Sequence, residues 1–150
     1  MMLLSLFQIV WILLWILVIG ICGFALWRGG TPERIGAALV LLVALAGAAV
    51  NLVPDGPVRQ VGHLAADGVL AAGFLAVAVR FASLWLGAAM LFQAVQFSLH
   101  AYYFVLQRPH DSLYSTVNNV NLLGVLTCLL VGTLAARRRA SGRAATRDGA

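Results

Sequence analysis

The sequence predicts an all-α integral membrane bundle of about five transmembrane helices, with the N-terminus outside and the C-terminus in the cytoplasm. Composition is the first reason. The chain is 62% hydrophobic and only 10% charged, with a mean hydropathy of +0.95. A soluble domain of 150 residues has too little interior to hide that much apolar surface. Five apolar stretches are the second reason, each near the length needed to cross a hydrocarbon core of about 30 Å. The third is the uneven placement of arginine around them.

The first span covers residues 3–27. It is too long for a signal-peptide core, lacks a basic start and has no small-residue cleavage site, so it is expected to stay in the mature protein. Arg28-Gly29-Gly30 ends it, and Thr31-Pro32-Glu33 restarts the chain in the pattern of an N-cap, a first-turn proline and an acidic residue. The second span, 34–53, is rich in small residues around Ala44 to Ala49. Pro54-Asp55-Gly56-Pro57 is a turn signal. The third span, 61–79, is the least apolar because it contains His63 and Asp67. Ser83 is placed to cap the fourth span, 84–106, and Gln107-Arg108-Pro109-His110-Asp111 forms the next loop. The fifth span covers 112–135. Residues 137–150 are basic and small, which predicts a disordered cytoplasmic tail.

Orientation follows from the ten basic residues, all of them arginine. Five spans put Arg28, Arg34, Arg80, Arg137, Arg138, Arg139, Arg143 and Arg147 on one side and Arg59 and Arg108 on the other. The positive-inside rule assigns the first group to the cytoplasm. Trp27 and Trp85 are then expected at the inner interface, and Tyr102, Tyr103 and Tyr114 at the outer one.

Polar residues inside apolar spans are expensive and mark either a function or a structural need. The candidates are Asn51, His63, Asp67, Gln96, His100, Asn118 and Asn121. With a rise of about 1.5 Å per residue, Asp67 and His100 both fall about 9 Å below the outer ends of their spans. His63 and Asp67 are four apart, Gln93, Gln96 and His100 follow a helical repeat, and Asn118 and Asn121 are three apart. Three helices therefore each offer one polar stripe, and one shared interior can satisfy them all. Asn and Gln in such stripes commonly serve as hydrogen-bonding glue between helices. The small-residue ladders Gly68–Ala72–Ala76 and Gly124–Cys128–Gly132 permit close helix approach. Cys22 and Cys128 have no disulfide or metal spacing and are expected to be packing residues.

No nucleophile–base pairing, phosphate loop, dinucleotide fingerprint or zinc-spaced cluster is present, so neither catalytic nor metal-ligating residues are assigned. The loops are too short to hold a catalytic domain, and an enzyme would have to work inside the bundle. Nucleic acid is not an expected partner; the lipid bilayer is, with another membrane protein or a second copy of the chain as further candidates.

The run Trp27-Arg28-Gly29-Gly30-Thr31-Pro32-Glu33-Arg34-Ile35-Gly36-Ala37, followed by Asp67-Gly68, Gln93 and His100, resembles a group of small polytopic inner-membrane proteins of proteobacteria. The resemblance implies a bacterial inner membrane and no particular activity.

Three functional readings follow. The first is a non-enzymatic accessory or interaction subunit whose polar cluster fixes helix packing. The second is a cofactor-binding protein, either with a b-type haem between His63 and His100 or with a quinone headgroup held by Asp67, His100 and Gln96. Haem is disfavoured because His63 lies about one turn shallower than His100. The third is a proton-linked transporter using Asp67 and His100, for which no inverted repeat is visible. The first reading requires no cofactor and is the expectation.

Overall fold

The computed structural model describes residues 6–54, 56–108 and 111–148. They form five helices in chain order: α1 (Leu6–Arg28), α2 (Thr31–Val50), α3 (Pro57–Phe81), α4 (Leu84–Val105) and α5 (Ser112–Asp148). Each is long and apolar enough to cross a membrane. Large apolar side chains cover their outer faces, among them Ile16, Leu42, Leu91 and Val131. That surface suits lipid rather than water.

Each helix packs on the next in sequence, α1 also packs on α5, and α2 touches α5 across the middle. The helices thus close a ring. One end of the ring, where α1 ends and α2 begins, is filled by Phe74, Leu86, Leu126, Leu129 and Cys22, each almost completely buried. Close approach makes this filling possible. A Cβ on Gly132 would lie 2.6 Å from Trp85 Cγ, and one on Gly36 would lie 2.8 Å from Trp85 Cη2. Gly124 similarly accepts the Phe92 ring. Between α2 and α3 the close contacts fall at Gly62 against Val50 and Gly73 against Leu39. Gly68 has only an ordinary contact with Phe97, so its ladder is not where α3 approaches most closely.

Several local expectations change. The N-cap of α2 is Gly30 rather than Thr31, and no side chain caps it. Glu33, the acidic residue of that helix start, turns inward. It is 1% exposed and accepts a hydrogen bond from Trp85 Nε1 at 2.9 Å. Trp85 accordingly faces into the ring and is buried there. Ser83 stands at the N-cap of α4 in extended backbone, without a side-chain capping bond. Tyr103 and Tyr114 also point inward, while Tyr102 is exposed. Asn51, expected inside the second span, is the exposed residue just after α2. The third span is a full 25-residue helix despite His63 and Asp67.

The expected disordered tail is a helix through Asp148. Alanine and arginine are strong helix formers, and the fifth span supplies a helix already nucleated for them to extend. Residues 149–150, and residues 3–5 of the first expected span, lie outside the described residues, as do Asp55, Pro109 and His110.

Gly132→Leu should force Trp85 aside and lower the thermal midpoint of the detergent-solubilised protein, by about 1–3 kcal/mol of stability. Gly20→Ala, with nothing within 4 Å of its Cβ position, should leave the midpoint unchanged or raise it. Equal melting of Gly132→Leu and the unaltered chain would contradict this packing.

Candidate functional site

At the other end of the ring the core gives way to polar side chains. Asp67 reaches inward from α3 and is buried. His100 of α4 meets it, Nδ1 against Oδ2. Gln93, two turns below His100 on the same face, donates from Nε2 to the Asp67 carbonyl at 3.2 Å and to Oδ1 at 3.3 Å. Each carboxylate oxygen therefore has a donor.

The bonds continue across α4 to α5. Gln96 Nε2 lies 3.4 Å from His100 Nε2 and donates to Asn118 Oδ1. Asn121 Nδ2 donates back to Gln96 Oε1 at 3.1 Å. An imidazole protonated at Nδ1 satisfies the whole chain: Nδ1–H donates to Asp67, and Nε2 accepts from Gln96. Helical spacing explains the convergence, since Gln93, Gln96 and His100 occupy one stripe of α4 and face α3 and α5 together.

Asn51 and His63 form a second, shallower group. His63 Nε2 lies 3.1 Å from Asn51 Oδ1, which also accepts from Arg59 at 2.9 Å. Ring packing joins the two groups: the His63 and His100 centroids are 5.9 Å apart, and those of His100 and Tyr114 are 5.2 Å apart. The seven sequence candidates thus divide into a deep set of Asp67, Gln96, His100, Asn118 and Asn121, and an outer pair of Asn51 and His63.

A cavity of about 660 Å³ lies against both groups. Asp67, Gln93, Gln96, His100 and Asn121 form one wall, from α3, α4 and α5. The opposite wall is apolar, with Trp11, Leu14 and Trp15 from α1 and Val40, Val43 and Ala44 from α2. Small residues on α2 help to make the space; a Cβ on Gly47, which lines it, would meet nothing within 4 Å.

Asp111 anchors the α4–α5 turn at this end. Its Oδ1 accepts from Tyr103 Oη at 2.6 Å and from the Tyr114 backbone N–H at 2.9 Å, the latter as an N-cap of α5. These donors, Tyr103 first, hold its carboxyl below the ordinary value of 3.8. Tyr103 and Tyr114 stack edge to face with centroids 5.0 Å apart, which fixes the Tyr114 ring over His100.

Sequence reasoning missed Arg59, Tyr114, Trp11 and Trp15 as parts of this region, and it treated Asp111 as an ordinary loop residue. The Asp111-x-x-Tyr114 spacing at a helix start was a usable signal; the tryptophans carried none beyond an apolar span. His63 and His100 present their Nε2 atoms to different side chains, Asn51 and Gln96. Among the described residues no three His, Cys, Asp or Glu side chains are grouped to hold a metal ion.

No known protein family matches the chain, and no match to a curated protein or to a solved structure was found. The site therefore has to be interpreted from its own geometry.

Breaking the deep pair on one side should be worse than removing it. Asp67→Leu alone leaves the buried His100 without its acceptor and should cost about 3–5 kcal/mol. The double variant Asp67→Leu/His100→Leu should recover much of that loss. Thermal unfolding of the two variants in one detergent measures the difference, and equal destabilisation would mean the pair is not coupled.

Proposed function

We propose that the chain is a small multi-pass protein of the bacterial inner membrane, an accessory protein that holds an amphipathic small molecule in the outer half of its bundle. The observation that carries this reading is the cavity of about 660 Å³ between a hydrogen-bonding wall and an apolar one. Its volume lies within the range of about 300–1,000 Å³ common for small-molecule sites, and so does its chemistry, mostly apolar with a few convergent polar groups. A cluster that served packing alone would need the hydrogen bonds but not the space beside them.

The proposed orientation has the N-terminus outside and the C-terminus in the cytoplasm, supported by eight arginines against two. The residues of the cavity then lie toward the periplasmic face, and the close-packed glycine and tryptophan contacts toward the cytoplasm. The haem reading is set aside because the two histidines are engaged with separate amides. Proton-linked transport has the Asp67–His100 pair in its favour, but a static cavity on one side of the bundle supports holding a ligand more directly than moving one.

Orientation is checked by C-terminal fusions: a fluorescent-protein fusion should glow and an alkaline phosphatase fusion should be inactive, and the reverse pattern would overturn it. Occupancy is checked by mass spectrometry of protein purified from its membrane in mild detergent. The unaltered chain should carry close to one small molecule per copy. Gly47→Phe, which fills the cavity from a position with free space, should carry none. Equal loading of the two proteins would sink the binding reading.

A further inference from the structure

The hydrogen-bonding groups around the cavity also bear on the class of its occupant, an argument that rests on the binding reading above. We infer that the occupant is a quinone: a neutral ring whose carbonyl oxygens accept hydrogen bonds, with an apolar tail.

Charge narrows the choice first. The formally charged side chains lining the cavity are Asp67 and Arg59, whose signs cancel. Both Asp67 oxygens already take donors from Gln93 and His100, and Arg59 is engaged with Asn51 at the outer group. A cationic or anionic head would exchange water for these walls without a dedicated counter-charge, at a desolvation cost. A neutral head avoids that cost.

Donor capacity narrows it further. Asn118 accepts from Gln96 through Oδ1, while its Nδ2 makes no hydrogen bond among the described residues. The side chain of Asn119, which also lines the cavity, bonds to nothing among them. Each side-chain amide carries two N–H donors. Asn118 and Asn119 are half-buried, and their unspent donors facing a partly apolar space are complemented by acceptor oxygens on the ligand, each amide exchanging water for a direct hydrogen bond. Carbonyls at two edges of one ring supply such acceptors without bringing competing donors. The ring itself has aromatic surfaces to pack on: Trp11 and Trp15, whose centroids are 6.0 Å apart, and Tyr114, which also lines the cavity. Val40 and Val43 continue the apolar wall for a tail.

The tryptophans make the inference measurable. Decylubiquinone added to the full chain in phosphatidylcholine nanodiscs should quench Trp11 and Trp15 saturably, beyond the non-specific quenching seen with Gly47→Phe. The double variant Asn118→Leu/Asn119→Leu should weaken this binding by about tenfold or more, the scale of a lost polar contact. Asn119→Leu alone, at a side chain with no bond to lose, should weaken it in the same direction and serves if the double variant fails to fold. Decyltrimethylammonium and decanoate, with tails of equal length and charged heads, should not displace the quinone. Displacement by either, or unchanged affinity in the asparagine variants, would overturn the inference. If the quinone fails to bind saturably while the purified chain still carries a molecule that Gly47→Phe excludes, the quinone assignment falls and the binding reading stands. If the purified chain carries nothing either, both fall.

Discussion

A carboxylate placed in the middle of an apolar helix must find its hydrogen bonds inside the protein, and Asp67 sets that requirement for the whole bundle. It can be met only if α4 turns its His100 and Gln93 face toward α3. Once α4 is so turned, Gln96 must be satisfied as well, and its partners Asn118 and Asn121 fix the rotation of α5. Three helices are thereby registered by one group. The direction of causation matters, since hydrophobic attraction between helices is weak when the surroundings are as apolar as the helices themselves.

The opposite end of the ring obeys a different constraint. There the helices come close because Gly124, Gly132 and Gly36 leave room for Phe92 and Trp85, and dispersion rather than hydrogen bonding holds them. One polar link is embedded in it, from the Trp85 indole to the buried Glu33. The bundle therefore has a solid end and a hollow end. Rotating α4 to serve both is possible because Trp85, Ala89, Gln93, Gln96, His100 and Tyr103 all lie along its buried face.

Much of this was legible in the sequence, for identifiable reasons. The five spans follow from the sheer contrast between apolar runs and arginine-marked loops. The meeting of Asp67 with His100 followed from helical rise and face periodicity, once the five spans were taken to alternate in direction. What escaped notice was set by packing. Nothing in the order of residues says that Glu33 would bond an indole 52 positions away, or that Trp85 would turn inward to fill a glycine-made hollow. The cavity was invisible for the same reason, because empty space arises from several helices at once. The small, charged residues of the tail suggest disorder when considered alone, whereas in the structure they continue the helix of the fifth span.

The attachment of α1 carries one further consequence. Among the side chains of α1 whose burial is described, the buried ones are Val18, Cys22 and Ala25 in its second half, while Val10, Trp11, Leu14 and Trp15 border the hollow. The helix is thus moored at one end and merely leans at the other. Local stability should grade along its length, with the first turns opening at far lower free energy than the last. Anything that fills the hollow supplies the missing contacts, so occupancy and the seating of α1 become linked equilibria, each strengthening the other.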